Sequence, residues 1–352
     1  MNILYNAPIN KTGYGITSIN ILKELYKIES NINYFGIGPT SVDNKMDYDF
    51  MQKIMSKQLF DIDAVYIKIW HQFDLAQRIG RGKYFAFPFF ELDTFNDMEK
   101  NHMLVPDHMI VTSEWAKTIL ENNGVKKPCS VVPLGVDTKI FDHKQYTKLD
   151  NSKYIFLNIG KWEVRKGHDF LYEIFDKAFP HEKDVELWIL ASETTNSYST
   201  KEQLKEWKNK YASSRIKLFD GVDSHANIAH IISQSDCGIY PSRAEGWNLE
   251  LLESMAMNKP VIATNYSAHT EFCDKNNSYL VNIDNIEPAH DKKAFFGQGN
   301  WAKICQNQKD QIIEYMRYVY KNRINTNKYG IETAQKYSWS NSANTLYGCI
   351  TQ

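Results

Sequence analysis

The sequence predicts an α/β protein made of two doubly wound, Rossmann-like domains facing each other across a ligand cleft. Three observations predict it. Short apolar runs alternate with helix-period segments almost throughout, as in mainly parallel sheets covered by helices. A polar stretch without period, DHKQYTKLDNSK at 142–153, interrupts this alternation, which then restarts. The chain has 352 residues, more than one ordinary core holds, so two domains are expected. The first is set at 1–145 and the second at 146–336, with a closing segment at 337–352. A ligand then belongs at the carboxyl ends of the strands, in the crevice between the domains.

In the first half, strands are expected at 2–5, 33–36, 64–70, 84–90, 108–111 and 130–132. A helix follows the first strand, with Ile16, Ile19, Leu22 and Tyr26 on one stripe. It opens in APINKTGYGITSINILKEL, where Gly13 and Gly15 would let backbone approach a ligand phosphate. A lone G-x-G serves equally as a turn into a helix. The amphipathic run MDYDFMQKIMSKQLF at 46–60 suits a helix packed on the sheet, or a contact with membrane or acceptor. In the second half, strands are expected at 154–159, 185–190, 216–219, 237–240 and 261–264.

Composition narrows the class. The chain is 43% apolar and 24% charged, as soluble globular proteins are. No apolar run approaches the roughly 20 residues that span a bilayer. The opening MNILYNAPIN lacks a basic n-region and a long apolar h-region, so a cytoplasmic location is expected. Five scattered cysteines form no C-x-x-C pair, and ten histidines show no metal-ligand spacing. No metal site is therefore expected. A net charge of −1 gives no general attraction to nucleic acid or anionic lipid, although a local basic face leaves both contacts open.

Two stretches carry chemistry. PSRAEGWNLELLESMAMNKPVIATN at 241–265 places Glu245 in the loop after a buried strand. It places Glu253 in the second turn of a helix that Asn248 caps and Asn258 ends. The first-turn amides of Leu249 and Glu250 point toward the same side, ready for an anion. GKWEVRKG at 160–167 sets Lys161 and Lys166 beside two glycines at a strand's carboxyl end. Fixed cations there suit a diphosphate leaving group, and equally a solvated lysine-rich turn.

Together these stretches resemble the retaining glycosyltransferases of family 4, which have the GT-B architecture. The family pattern runs G-R-x-x-x-x-K-G, then P-S-x-x-E-G-F-G-L-x-x-x-E-A-M-A-x-G-x-P-V-I-A-T. The stretches VTSEWAKTIL (111–120), VVPLGVDTKIF (131–141), IKLFDGVDSHANIAHIISQSDCGIY (216–240) and YSWSNSANTL (337–346) are similar to the family's as well. The resemblance covers 108–350 well and 1–107 loosely. It makes the first domain the acceptor side and the second the nucleotide-sugar side. It also takes the helix around Trp339 back onto the first domain.

The resemblance implies a role for each residue. Glu253 would accept hydrogen bonds from the donor's ribose, and Glu245 would hold the donor sugar. Backbone amides of Trp247, Asn248 and Leu249 would meet the sugar and distal phosphate, with Gly15 approaching phosphate from the other domain. Lys161 and Lys166 would hold the diphosphate, so Glu245, Lys166 and Lys161 carry the catalytic work. Where the family often has a histidine after the fourth strand, YFAFPFFELDTF offers Glu91 and Asp93 as sugar or acceptor contacts.

Two departures stand out. Lys161 replaces an arginine, and Asn248 replaces a glycine that lets backbone approach the sugar. The triplet DID at 61–63 matches the D-x-D of metal-dependent glycosyltransferases, but such triplets are common. The segment 287–305 has no counterpart in the family pattern and reads as a loop.

The implied activity is metal-independent, retaining transfer of a sugar, a hexose by preference, from a UDP- or GDP-linked donor to a hydroxyl acceptor. No cofactor is implied beyond that donor. The acceptor stays open among glycan, lipid, protein and modified nucleic-acid base. Rival readings are a nucleotide-sugar epimerase, an NAD-dependent oxidoreductase and a non-catalytic nucleotide-sugar sensor.

Overall fold

The structure, a computed structural model, describes residues 1–56, 60–192, 199–222 and 224–352. The chain divides into two compact units. The first comprises Met1–Phe90, Thr94–Gly135 and Tyr337–Gln352; the second comprises Glu91–Asp93 and Val136–Lys336.

The first unit is a six-stranded parallel sheet. Its strands are β1 (Ile3–Ala7), β2 (Ile32–Gly36), β3 (Val65–Lys68), β4 (Tyr84–Ala86), β5 (His108–Val111) and β6 (Cys129–Val131), in the order β2-β1-β3-β4-β5-β6. β1 is buried along its whole length, as expected of a central strand covered on both faces. The Gly13–Ile28 helix buries Ser18, Ile19, Ile21, Leu22 and Leu25. Of the expected stripe, Ile19 and Leu22 are buried and Ile16 and Tyr26 only half-buried; the buried face is shifted, and the terminal helix Trp339–Thr351 packs on this helix. The Lys45–Met55 helix buries Met51 and Ile54 and leaves Met46, Tyr48 and Met55 exposed. The end of that amphipathic run, 57–59, lies outside the described residues.

The strand expected at 84–90 ends at Ala86. Phe87 and Phe90 stay buried after the chain leaves the sheet, and Phe90 packs on Phe95 with ring centroids 4.9 Å apart. Phe87 N still donates to Lys68 O of β3 at 2.8 Å, but beyond it burial continues without ladder pairing and reads like a strand in sequence.

The second unit repeats the plan. Its strands are β7 (Tyr154–Lys161), β8 (Val185–Ser192), β9 (Ile216–Phe219), β10 (Cys237–Tyr240), β11 (Val261–Thr264) and β12 (Tyr279–Val281), in the order β12-β11-β10-β7-β8-β9. Phe156, Leu187, Ile239 and Ile262 are fully buried in its core, together with Phe175 from the Leu171–Ala178 helix. β7 pairs with β8 on one side and β10 on the other. The strand order reverses between β7 and β10, the switch point at which open α/β sheets bind their ligands.

The segment expected as a loop is instead an antiparallel hairpin, β13 (Ile286–His290) with β14 (Phe296–Ala302). Asp291 closes its turn, Oδ1 accepting from the amides of Lys293, Ala294 and Phe295. Ala289, Phe295 and Trp301 form a small core with Leu92 and Ala244.

Candidate active site

The switch point of the second sheet is built by the loops after β7 and β10. The first bends at Gly167, whose φ of +86° favours glycine, and a Cβ there would lie 3.0 Å from Pro241 Cγ. Arg243 N donates to Arg165 O at 2.7 Å. The Arg243 guanidinium grips both oxygens of Asp169 at 2.8 Å. The two loops are thus stitched together. Behind them His168 Nδ1 accepts from Glu163 N at 3.2 Å and Nε2 meets Asn158 Oδ1 at 3.0 Å. Burial holds that imidazole neutral, its pKa down at about 3.

Within this frame lies a buried charge network. Arg165 Nη1 donates to Glu245 Oε2 at 2.6 Å and to Ala244 O at 2.8 Å, while Nη2 donates to Glu163 Oε2 at 2.7 Å. Glu91 Oε1 lies 3.9 Å from Arg165. Lys166 Nζ is 2.8 Å from Glu245 Oε1 and 3.8 Å from Glu250. Burial by itself would raise the Glu245 pKa, but Arg165 and Lys166 outweigh it and hold the carboxyl well below its usual range. Burial likewise works against the charge on Arg165, and Glu163, Glu245 and Glu91 overcome it.

The Leu249–Ala256 helix starts at Asn248, which takes a left-handed φ of 85°. Its side chain accepts from Leu251 N at 3.2 Å and donates to His269 Nε2 at 2.9 Å. His269 Nδ1 donates to Thr264 O at 2.9 Å, fixing the tautomer, and burial lowers its pKa to about 4. The departure from glycine is thereby absorbed: the asparagine side chain is anchored inward. Tyr240 OH meets Ser254 Oγ at 2.6 Å and ties the helix to β10. Leu249 and Glu250, in the first turn, have no carbonyl four residues back within the helix.

Glu253 is a different kind of acid. It is only 6% exposed, and the described residues offer its carboxyl group no hydrogen-bond donor and no cation. Burial, seconded by Glu250, pushes its pKa well above the usual range.

The structure therefore brings Lys161, Lys166, Glu245, Trp247, Asn248, Leu249 and Glu253 to one end of the second sheet. Lys161 is the last residue of β7. Trp247 is buried, its ring 4.8 Å from that of Phe272. Glu91 joins through Arg165. Asp93 is taken up by the hairpin, accepting from Asn300 N at 2.8 Å. Gly15 belongs to the first unit, where a Cβ would lie 2.2 Å from Asn10 O, so local backbone packing already requires glycine.

Sequence reasoning missed Arg165, Glu163 and His269. Arg165 stood in plain view beside Lys166, but its partner Glu245 is 80 residues away.

The D-x-D triplet is engaged locally. Asp63 pairs with Arg81 at 2.6 Å, and Asp61 accepts from Asn2 Nδ2 at 2.7 Å. Among the described residues, no group of three or more His, Cys, Asp or Glu could hold a metal ion, and no helix is long and apolar enough to cross a membrane.

Residues 153–292 match the family model described as glycosyl transferases group 1. The lipopolysaccharide core biosynthesis mannosyltransferase LpsB of Rhizobium meliloti (strain 1021) is 27% identical over 179 residues, which cover 48% of this chain and 50% of that protein. The chain spans between 39% and 59% of the length of the curated relatives it matches. Sucrose-phosphate synthase from Thermosynechococcus elongatus superposes with a TM-score of 0.72 at 14% identity, covering 100% of this chain and 98% of that one. Anabaena HepE in complex with UDP and glucose superposes with a TM-score of 0.68 at 11% identity, with 100% of each chain covered. These likenesses give the fold: two parallel six-stranded α/β sheets in the GT-B arrangement.

Proposed function

We propose that this chain, whose residues 153–292 match the model of the group 1 glycosyl transferases, moves a hexosyl group from a nucleoside-diphosphate sugar to a hydroxyl acceptor with retention and without a metal. One observation carries the reading. Glu253 is a buried acid with no cation or hydrogen-bond donor at its carboxyl among the described residues, on the helix that follows β10 at the sheet's switch point. Burying a carboxyl group without donors is costly. A vicinal diol supplies two donors, each worth roughly 1.5–3 kcal/mol to a carboxylate. A ribose has such a diol.

The remaining residues extend the scheme. Lys161 and Lys166 face the diphosphate, and their charge counts most where leaving-group charge grows in the transition state. Glu245 Oε1, which accepts no well-directed hydrogen bond in the unliganded site, receives a donor-sugar hydroxyl. The amides of Trp247, Asn248 and Leu249 meet the sugar and distal phosphate.

The acceptor oxygen bonds to the anomeric carbon on the face from which the diphosphate departs. The breaking carbon–oxygen bond leaves its electron pair on the diphosphate, and a diphosphate oxygen takes the acceptor's proton. No protein nucleophile is needed.

Titration calorimetry and thermal shift with UDP, GDP, ADP and UDP-glucose test the proposal. A ligand at 100 times its Kd should add about 2.7 kcal/mol of stability. Absence of binding by all four would overturn the donor site. Binding without transfer to any hydroxyl acceptor would favour the sensor, interconversion of the sugar the epimerase, and a response to NAD alone the oxidoreductase. Transfer should persist in excess EDTA; loss restored by Mn²⁺ or Mg²⁺ would overturn metal independence.

A further inference from the structure

Arg165 has no part in the donor contacts just described, yet it is the most heavily engaged side chain at the site. It is 6% exposed and lies among three acids, Glu91, Glu163 and Glu245. Lys166, by contrast, is held by Glu245 at 2.8 Å and Glu250 at 3.8 Å. Diphosphate binding at Lys166 is therefore a change of partner. The ammonium must leave Glu245, and a buried carboxylate left without any cation is strongly destabilising.

Glu245 has a second cation. Arg165 binds its other oxygen, Oε2, and is itself fixed by Glu163 and by Ala244 O. The carboxylate thus presents two oxygens with different partners: Oε2 bonded to Arg165, and Oε1 beside the Lys166 ammonium.

We infer that Arg165 is a positioning residue, holding Glu245 and keeping it compensated so that Lys166 is released to the donor diphosphate and Glu245 Oε1 to the donor sugar. The inference rests on the donor-site reading of Lys166. It assigns Arg165 no contact with the donor.

Calorimetry with UDP, which carries the diphosphate but no sugar, tests it. Arg165→Met should lock Lys166 onto Glu245 and weaken UDP binding by roughly 10- to 100-fold. Glu245→Gln releases Lys166, so UDP affinity should hold or rise. In that background Arg165→Met should cost less than about threefold, because the competition it relieved is gone. An equal loss in both backgrounds, or no loss in either, overturns the inference.

Should Arg165→Met fail to fold, Arg165→Lys keeps the charge but loses the fork that spans Glu245 and Glu163. UDP affinity should then fall by about three- to tenfold with little change in Tm; unchanged affinity overturns the inference. Wild-type protein that binds no nucleoside diphosphate would overturn the donor site and this inference together. That result is distinct from wild-type binding insensitive to Arg165.

Discussion

Glu245 and Glu253 sit eight positions apart, are almost equally buried at 4% and 6% exposure, and live in opposite electrostatic surroundings. Glu245 is fully compensated by Arg165 and Lys166. Its amide donates to Ser267 Oγ at 2.8 Å, which fixes the loop as well as the charge. Glu253 has burial against it, a like charge from Glu250, and nothing in its favour. The difference separates two uses of a buried acid. One helps hold the loops and their charges together; the other has no compensating cation among the described residues, and in the proposed function a ribose diol supplies its donors.

The largest expected effect breaks the compensated side. Glu245→Ala leaves Arg165 and Lys166 buried without their shared partner, which should cost about 3–5 kcal/mol of stability. The pH dependence has a definite sign. The folded-state pKa of Glu245 lies below its unfolded value near 4.5, so its stabilisation is present above that value and is lost as pH falls. Denaturant titration should show wild type and variant converging in acid. A constant gap across pH would place the loss in packing rather than charge.

Lys166→Ala comes next. It spares Arg165's hold on Glu245 but removes the cation proposed to face the developing diphosphate charge. A fall of roughly 10²–10³ in kcat is expected, with donor affinity less affected. Steady-state kinetics would refute this if turnover stayed normal in a folded variant. Lys161→Ala should behave similarly and more mildly, and the double variant should be less than additive if both grip one diphosphate.

Glu253→Ala sharpens the contrast from the other side. UDP affinity should drop by roughly 1.5–3 kcal/mol, while the unliganded protein should lose no stability. Glu253→Gln should stabilise it. Because burial raises the Glu253 pKa above the unfolded value near 4.5, its cost grows as pH rises through that window and vanishes below it. The advantage of Glu253→Gln should therefore widen with pH, the reverse of the Glu245 pattern. A stability loss for both Glu253 variants would mean that the acid is structural.

The sequence was readable where its signals are local. Alternating apolar runs located eleven of the twelve parallel strands; the twelfth, β12, is a three-residue edge strand with too little pattern to register. Glu253 was conspicuous as an acid interrupting an apolar helix face. The N-cap at Asn248 followed from residue type. The hairpin β13–β14 reads as a loop because its segment has no counterpart in the family pattern, while its buried face depends on Leu92 and Ala244, far off in sequence. Arg165 escaped for the same reason: adjacent Arg and Lys read as a basic turn until Glu245 and Glu91 fold against them. Strand period belongs to a few neighbours, whereas charge compensation belongs to whatever the fold brings near.

The smallest effect concerns the joint between the two acids. Asn248 ends the loop carrying Glu245 and caps the helix carrying Glu253, in a backbone conformation that costs an L-residue about 1 kcal/mol. Asn248→Gly removes that strain but gives up the side-chain cap, worth a few tenths of a kcal/mol against glycine. It also loses the hydrogen bond to His269, worth about 0.5–1.5 kcal/mol. These terms oppose one another, so stability should change by less than about 1 kcal/mol, and the relative placement of Glu245 and Glu253 should survive. His269→Ala should cost more in wild type than in the Asn248→Gly background, since only wild type has an amide left without its acceptor. Equal costs in the two backgrounds would mean that His269 acts through Thr264 alone. A large fall in UDP affinity for Asn248→Gly would show that the inward-anchored side chain is what sets the joint, and that the two carboxylates are coupled through it.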